Sequence, residues 1–230
     1  MEKVKVKEIT KYYGRGENEF AVVNNVSFSI NKGEFVTVLG PSGSGKTTLL
    51  KCVCGIETVK SGEIWIGGKD IIKLTEEERK KFRRKNIGIV FQQYSLLPIL
   101  NVRENILLPL KLNRDRMDKE YFDEIIEMLG IQDKMRNRID TLSGGQQQRV
   151  AIARGLITKP QLICADEPTG NLDRANSNEV IQLFKKIRKE FHTSVLMITH
   201  DEQIAKESDN TIKIEDGKIV KENVNDKITC

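Results

Sequence analysis

The chain has 230 residues and a formal net charge of +5 at pH 7, a length that predicts one or two domains with a hydrophobic core of their own. Hydrophobic residues make up 38% and charged residues 31%, which excludes an intrinsically disordered chain. The longest apolar stretches are strand-sized, and the first residues lack the apolar core of a secretory signal. We therefore expect a soluble, intracellular protein without a membrane span.

The first part of the chain alternates strand-like and helix-like segments. Apolar residues at 26, 28 and 30 alternate with serines, and 35–39 has the composition of a fully buried strand. A helix is predicted from Lys46, ending at Gly55 as a C′ glycine. Thr75 and Glu78 have the spacing of a capping box, so a second helix is predicted to begin there. Further strands are predicted at 63–66 and 87–91.

The stretch from about 93 to 157 is predicted to contain helices and no strand. Asp118 can cap a helix that Gly130 ends and whose apolar residues share one face: Phe122, Ile125, Ile126 and Leu129. Strands return at 162–165 and 194–199 with a helix between them, and Asp216-Gly217 predicts a two-residue hairpin. We therefore predict an α/β fold: a mainly parallel sheet, an antiparallel β subdomain on the N-terminal side and a helical insertion.

The cysteines and one of the two histidines carry no functional signal. The cysteines have neither a second pair nor a histidine at zinc-ligand spacing: Cys52, Cys54, Cys164 and Cys230. We expect them to be small buried apolar residues in a reducing compartment. His192 is expected to lie on the surface.

Residues 40–47, Gly-Pro-Ser-Gly-Ser-Gly-Lys-Thr, match the pattern G-x-x-x-x-G-K-[ST] between a predicted strand and a predicted helix. The glycines let backbone N–H groups turn inward around a phosphate, and the following helix presents its positive end to that anion. Lys46 would supply positive charge to the β- and γ-phosphates, and the Thr47 hydroxyl would ligate Mg²⁺. The alternative is an ordinary glycine-rich turn between a strand and a helix.

Asp166 and Glu167 end a predicted buried strand, at the edge of the sheet where α/β proteins bind ligands. Asp166 could hold the Mg²⁺ shell, and Glu167, which points elsewhere, could polarise an attacking water. An acidic strand end is by itself usually only solvated. Beside a phosphate loop we favour the catalytic interpretation.

A second glycine-rich segment, Leu142-Ser143-Gly144-Gly145-Gln146, precedes these acids. Ser143 is a good helix N-cap, and the two glycines leave the first N–H groups of the helix open to an anion. A single ATP does not need two such sites on one chain. The simplest explanation is that this surface contacts an ATP bound to another subunit.

Together these motifs resemble those of the ATP-binding-cassette (ABC) transporter ATPases. The similarity covers about residues 4–220 and keeps the family's order of motifs: phosphate loop, glutamine loop at Val90-Phe91-Gln92, signature at 142–146, Asp166-Glu167 and a histidine. Residues 165–173 and the run at 146–149 resemble one bacterial branch, which includes lipoprotein-releasing, macrolide-export and antimicrobial-peptide-resistance ATPases. Residues 1–230 are then expected to form a single nucleotide-binding domain, with the signature on a helical subdomain at about 93–157.

The resemblance implies roles for the residues at the matching positions. Tyr13 would stack on adenine, with the neighbouring Tyr12 as an alternative. Gln92 would reach Mg²⁺ and the attacking water, Asp166 would hold Mg²⁺, and Glu167 would be the catalytic base. The phosphates and the metal would be held by the phosphate loop: Ser42, Gly43, Ser44, Gly45, Lys46, Thr47 and Thr48.

Other implied residues belong to a subunit interface and to a switch. Ser143, Gly144 and Gly145 would contact the γ-phosphate of the opposite subunit, and Asp173 would cross the interface. His200 would touch the γ-phosphate, although a histidine at a strand end is more often only a polar terminus. The implied cofactors are ATP and Mg²⁺. The implied partners are a second copy of the chain, bound head to tail with ATP, and a separate integral-membrane permease.

Two basic runs, Arg79-Lys80-Lys81 and Arg83-Arg84-Lys85, follow three glutamates in the order that a helix dipole favours. A solvated helix face is the simpler interpretation, and contact with lipid headgroups or the permease is the alternative. A nucleic-acid surface is not expected, because only Phe82 is interleaved among the basic residues.

Two functions fit the sequence. The first is a transport ATPase at the cytoplasmic face of the membrane, which dimerises around two ATP molecules and drives a permease, with export or resistance to antimicrobial peptides or similar amphiphiles as the expected process. The second is a membrane-coupled signalling or cell-division ATPase that moves no solute. Cytosolic roles in DNA repair or on ribosomes are disfavoured, because the chain has one cassette and no room for a long coiled coil before the signature.

Overall fold

Two β-sheets and the helices packed on them make up the computed structural model, which describes residues 2–224. The strands are β1 Glu2–Tyr13, β2 Phe20–Asn31, β3 Phe35–Leu39, β4 Ser61–Ile66, β5 Lys69–Asp70, β6 Ile87–Val90, β7 Leu162–Asp166, β8 Ser194–Thr199, β9 Asn210–Glu215 and β10 Lys218–Val224. The helices are α1 Lys46–Val53, α2 Glu76–Asn86, α3 Val102–Asn113, α4 Lys119–Leu129, α5 Gly144–Leu156, α6 Arg174–Phe191 and α7 Glu202–Lys206.

The larger sheet has six strands in the order β10-β9-β3-β8-β7-β6, and all neighbours except β9 and β10 are parallel. Leu39 at the end of β3 pairs with Thr199 at the end of β8, and Asp166 at the end of β7 pairs with Ile198. The carboxyl ends of three central strands therefore meet at one edge, where ligands of α/β proteins bind. The predicted mainly parallel sheet is confirmed.

The smaller sheet is antiparallel, in the order β2-β1-β4-β5, and it confirms the β subdomain expected on the N-terminal side. Its long strands β1 and β2 pair with several register shifts, which bend the ribbon. Tyr13 and Phe20 are directly opposite each other at the end of this pair where residues 14–19 connect the two strands. The bent ribbon therefore carries two aromatic side chains to one place.

Helices α3, α4 and α5 occupy the stretch that was predicted to be helical, where the only β contact among the described residues is an isolated bridge between Asn101 and Arg138. The predicted cap of α4 by Asp118 and its end at Gly130 are both observed. The capping box of Thr75 and Glu78 starts α2. The hairpin between β9 and β10 turns at Asp216-Gly217, as predicted, with φ values of 47° and 74°.

Two clusters of buried apolar side chains form the core. One lies between the six-stranded sheet and the helices α3 to α6, and the other between the two sheets and α1. Cys52, Cys54 and Cys164 are buried free thiols, as expected, and burial raises the pKa of Cys52 to about 12. Cys230 lies outside the described residues. His192 is exposed just after α6, as predicted.

Candidate active site

The phosphate loop connects β3 to α1 and is wrapped tightly by its glycines. Gly43 and Gly45 have φ values of 80° and 96°, which side chains with a Cβ rarely adopt. A Cβ at Gly45 would also collide with the carbonyl oxygen of Val22 on β2. The loop therefore needs glycine at residue 45 for its backbone conformation and for the close approach of β2.

Lys46 begins α1 and folds its side chain back over the loop. Its Nζ donates to the carbonyl oxygens of Gly40 at 2.8 Å and Pro41 at 2.7 Å. Burial lowers the pKa of Lys46, an effect that the negative charges of Glu167 and Asp166 oppose. Lys46 is one of the residues that line a cavity of about 370 Å³: Tyr13, Phe20, Val22, Ser42, Gly43, Gly45, Lys46, Thr47, Thr48 and Glu167.

Asp166 and Thr47 face each other across this edge of the sheet. The Thr47 hydroxyl donates to Asp166 Oδ1 at 3.2 Å. Burial raises the pKa of the Asp166 carboxyl, because desolvation penalises its charged form. Two hard oxygen donors from different elements are therefore placed beside the phosphate loop.

Glu167 follows the last residue of β7 in a left-handed conformation, with a φ value of 45°. Its N–H donates to the Ile198 carbonyl oxygen at 3.1 Å, which anchors this unusual backbone to β8. A glutamate in this region is strained, and such strain persists only where neighbouring structure enforces it. The bend separates Glu167 from Asp166 and turns it toward the phosphate-loop cavity, which it lines.

His200 lies just beyond β8, and its Nδ1 is 3.3 Å from Glu167 Oε2. The imidazole and the carboxylate both line a second cleft of about 830 Å³, between the start of α6 and α7. Glu167 is the predicted site residue that borders both cavities. The structure thus brings His200 to Glu167, and Glu167 to the phosphate loop.

Gln92 lies in the turn after β6, next to the segment that precedes α6. Asn171 Nδ2 donates to the Gln92 carbonyl oxygen at 3.0 Å, and a Cβ at Gly170 would be 2.8 Å from Gln92 Nε2. Gln92 does not line the phosphate-loop cavity. Gly170 therefore has to be small for the amide of Gln92 to sit where it does.

The signature segment forms the N-terminus of α5. Ser143 is the N-cap: its Oγ accepts from Gln146 N at 3.3 Å, and Gln146 Oε1 accepts from Ser143 N at 3.0 Å. Asp173 caps α6 through Asn176 N at 2.8 Å, and a Cβ at Gly145 would lie 3.0 Å from Asn176 Oδ1. The signature and the start of α6 are neighbours. Neither contributes a side chain to the lining of the phosphate-loop cavity.

Two sequence-based assignments are refined by side-chain positions. Tyr13 lines the cavity, whereas Tyr12 does not and is 38% exposed. The Ser44 side chain is buried, does not line the cavity, and its hydroxyl has no hydrogen-bond partner among residues 2–224. Any contact of Ser44 with a ligand would therefore have to come from its backbone.

Phe20 and Val22 line the cavity but were not identified from the sequence. Phe20 is an apolar residue that remains 59% exposed. No short sequence motif identifies Phe20, because its position depends on its cross-strand pairing with Tyr13. A prediction of β1 and its pairing register would have been needed to find it.

Comparison with known proteins identifies the class of this fold and site. The family model of the ABC transporters matches residues 23–170. The lipoprotein-releasing system ATP-binding protein LolD 1 of Chlorobium chlorochromatii is 40% identical over 201 residues, which are 86% of this chain and 82% of that protein. The macrolide export ATP-binding/permease protein MacB of Mannheimia succiniciproducens is 39% identical over 221 residues, which are 94% of this chain but 34% of that protein.

The fold matches solved cassettes over nearly its whole length. A dimeric structure of the bacterial ABC transporter cassette MJ0796 superposes with a TM-score of 0.88 at 38% identity, covering 98% of this chain and all of that one. A second structure of that cassette, a dimeric post-hydrolysis state with ADP and Pi, gives a TM-score of 0.87. The chain belongs to the ABC transporter family, as an ATP-binding ATPase cassette.

The chain spans about a third of the length of the macrolide-export relatives that it matches. Within residues 2–224, no helix is both long and apolar enough to cross a membrane.

Proposed function

We propose that this protein is the ATP-hydrolysing subunit of a bacterial transporter, in which two copies bind head to tail around two ATP molecules and drive a separate integral-membrane permease. The observation that carries the proposal is the division of the site within one chain. The signature contributes no residue to the lining of the phosphate-loop cavity, and its helix N-terminus is capped by Ser143. We infer that the signature of a second copy completes the ATP site. Residues 1–230 would act as one nucleotide-binding domain, with residues of about 93–157 as its helical subdomain.

In this site the phosphate loop binds the triphosphate and the aromatic pair binds the base. Lys46 exchanges its carbonyl partners for the β- and γ-phosphates, supported by the hydroxyls and N–H groups of Ser42, Gly43, Gly45, Thr47 and Thr48 and the backbone of Ser44. Tyr13 stacks on adenine, and Phe20, its cross-strand partner, supplies a second ring at the same cavity.

The oxygen donors of Thr47 and Asp166 suit Mg²⁺. Mg²⁺ is a hard cation that usually binds through one or two protein oxygens together with substrate phosphates and waters. Thr47 Oγ1 and Asp166 Oδ1 are already 3.2 Å apart beside the loop, and Gln92 is the further oxygen ligand that we assign. When bound, the metal neutralises charge on the phosphates.

Glu167 acts as the general base. It accepts a proton from the attacking water, whose oxygen forms a bond to the γ-phosphorus while the bond to the ADP oxygen breaks, giving ADP and phosphate. His200, 3.3 Å from the Glu167 carboxylate, orients it and contacts the γ-phosphate. Ser143, Gly144 and Gly145 of the second copy close on the same phosphate, and Asp173 crosses the interface. Hydrolysis then depends on closure of the dimer.

An exposed apolar edge suits a permease partner. Ile99 is 90% and Leu97 42% exposed, on a turn whose shape is fixed by the buried amide of Asn105. Leu112, 61% exposed, borders a groove beside this turn. Apolar side chains held out in this way typically mark interaction sites. The protein would thus lie at the cytoplasmic face of the membrane.

Export or resistance to antimicrobial peptides or similar amphiphiles is the transport process that we propose, since the relatives include a macrolide exporter and a lipoprotein-releasing ATPase. Membrane-coupled signalling or cell division without solute movement is the alternative. Both rest on the same ATPase and a membrane partner.

ATP-dependent dimerisation tests the proposal. Glu167→Gln keeps the shape of the side chain and removes the base, so it should bind ATP, slow hydrolysis by about 10²–10⁴-fold and accumulate as a dimer. Light scattering after size exclusion measures that dimer with and without Mg-ATP. The control combines Glu167→Gln with Ser143→Arg, which should bind ATP as a monomer. If Glu167→Gln alone remained monomeric at saturating Mg-ATP, that result would contradict an ATP site shared between two copies.

Capture from detergent-solubilised membranes tests the partner. The tagged wild type should recover an integral-membrane permease. Ile99→Asp should lose that partner. Val220→Asp should retain it, because Val220 is an exposed apolar residue on β10, at the opposite edge of the six-stranded sheet from β6. Recovery of no membrane protein by the wild type would contradict the transport proposal while leaving the ATPase proposal standing.

A further inference from the structure

Arg154, on α5, joins the signature helix to the turn that contains Gln92. Its Nη1 donates to the Ser95 carbonyl oxygen at 2.6 Å, and its Nη2 donates to the Tyr94 carbonyl oxygen at 2.7 Å. The planar fork of a guanidinium can serve two adjacent acceptors at once, which the ammonium of a lysine does less well. Burial lowers the pKa of this guanidinium, and it forms no ion pair within the described part of the chain.

The two carbonyl groups belong to residues with an unfavourable backbone. Tyr94 and Ser95 have φ values of 56° and 49°, so two consecutive residues with a Cβ lie in the left-handed region. Such a conformation persists only where the surrounding structure enforces it. Arg154 supplies two of the contacts that do so.

The same turn touches two other motifs of the site. Asn171 Nδ2 binds the carbonyl oxygen of Gln92 at 3.0 Å, in the segment before α6. A Cβ at Gly144 would lie 3.2 Å from the Tyr94 hydroxyl, so Tyr94 abuts the first turn of α5. A shift of residues 92–95 would therefore be felt both at Gln92 and at the signature.

We propose that Arg154 is a positioning residue for ATP hydrolysis, which fixes the turn of Gln92 to the signature helix so that Gln92 and Gly144 keep one relative arrangement. This inference rests on the proposed function, where those two residues act on the nucleotide. Arg154 does not line the phosphate-loop cavity and acts through Tyr94 and Ser95. Arg154 also borders the groove that Leu112 lines, so a partner bound in this groove would contact the residue that connects the turn of Gln92 to the signature helix.

Arg149 provides a matched control on the same helix. Its Nη1 donates to the Leu129 carbonyl oxygen at 2.9 Å and its Nη2 to Glu179 Oε2 at 2.6 Å, so it ties α5 to α4 and α6 instead of to the Gln92 turn. Arg154→Gln should lower kcat at least about tenfold, because the turn of Gln92 loses its two hydrogen bonds to the charged guanidinium and is no longer aligned with the signature helix. ATP affinity should change little, because the phosphate loop is intact. Arg154→Lys should recover part of that loss, and Arg149→Gln should stay within about twofold of the wild type.

A double-mutant cycle separates positioning from a general loss of structure. In a Gln92→Ala background, Arg154→Gln should cause little further loss of kcat, because the glutamine whose turn Arg154 positions is already gone. Additive losses from Arg154→Gln and Gln92→Ala would overturn the proposal, as would wild-type kcat in Arg154→Gln.

Hydrogen exchange tests, independently of turnover, whether Arg154 fixes the turn of Gln92. The Tyr94 N–H, which donates to the Phe91 carbonyl oxygen at 3.0 Å, should exchange at least about tenfold faster in Arg154→Gln than in the wild type or Arg149→Gln. Unchanged exchange would overturn the proposal. A wild type that does not hydrolyse ATP would instead contradict the proposed function, and the exchange comparison would still test Arg154. If Arg154→Gln does not fold, Arg154→Lys carries both measurements, since it keeps the charge and loses the fork.

Discussion

Replacement of Phe20 by alanine tests whether two aromatic rings hold the nucleobase. Phe20 and Tyr13 are cross-strand partners, and both line the cavity above the phosphate loop. The Phe20 side chain is 59% exposed, so its truncation removes little packing and should change the free energy of unfolding by less than about 0.5 kcal/mol. Stacking of a base on an aromatic side chain contributes about 1–3 kcal/mol, and Phe20 shares the base with Tyr13. We expect the lower half of that range, a loss of ATP affinity of about five- to thirtyfold.

The position of this ring relative to the phosphates is set by β2 before any nucleotide binds. A Cβ at Gly45 or at Gly217 would come too close to the Val22 carbonyl oxygen, so β2 is in direct contact with the phosphate loop and with the β9–β10 turn. Asn24 N also donates to the Gly217 carbonyl oxygen at 2.8 Å. A preorganised ring loses little entropy on binding, which favours a measurable effect of its removal.

Titration calorimetry with Mg-ATP, Mg-ADP and Mg-tripolyphosphate is the assay, because tripolyphosphate has no base. Phe20→Ala should weaken ATP and ADP equally and leave tripolyphosphate unchanged. Phe20→Tyr should restore affinity, and Tyr12→Ala, whose side chain lies outside the cavity, should behave as the wild type. Unchanged ATP affinity in Phe20→Ala, or an equal loss for tripolyphosphate, would show that Phe20 does not bind the base.

Two further substitutions test local energetics by thermal unfolding. Asp166→Asn should abolish Mg²⁺-dependent hydrolysis yet raise Tm of the nucleotide-free protein at pH 7, because burial raises the pKa of this carboxyl and the charged form therefore destabilises the folded chain. The gain should shrink as pH falls toward about 4, where the wild-type carboxyl also becomes neutral, and a gain that grows on acidification would contradict this sign. Asn105→Ala should lower the free energy of unfolding by about 1–3 kcal/mol, because its fully buried side-chain amide forms several hydrogen bonds. Its Oδ1 accepts from Leu97 N, and its Nδ2 donates to the carbonyl oxygens of Leu97, Leu100 and Asn101. Asn113→Ala is the control, because the one hydrogen bond of its side chain within residues 2–224 is a long contact of 3.5 Å with the Arg84 carbonyl oxygen. Equal losses in the two variants would contradict the role of Asn105.

Much of the fold could be predicted because local signals agreed with tertiary structure. The capping box of Thr75 and Glu78, the cap at Asp118 and the turn at Asp216-Gly217 each act over a few residues, and each is observed. The phosphate loop was predicted correctly as a link from strand to helix for the same reason. Its chemistry requires a fixed local spacing.

The remaining features depend on contacts between distant segments. Strand β1 was not predicted residue by residue, since its pairing with β2 and β4 is irregular and several of its residues are charged. The place of Phe20 follows from that pairing, and the bond of Arg154 to Tyr94 and Ser95 crosses about sixty positions, as the separations of 59 and 60 show. No periodicity or short motif encodes such a contact.

Mixing two inactive variants tests whether each ATP site is completed by a second copy of the chain. Lys46→Ala lacks the phosphate-loop cation but has an intact signature, and Ser143→Arg has the opposite defect. Each alone should show no Mg²⁺-dependent ATPase activity. Neither variant should close an ATP-bound dimer with itself, so the active dimers in an equal mixture are hybrids with one intact site of two. Activity should therefore return, to at most about half of the wild-type value. A mixture as inactive as its components, although the two variants form mixed dimers, would contradict the account.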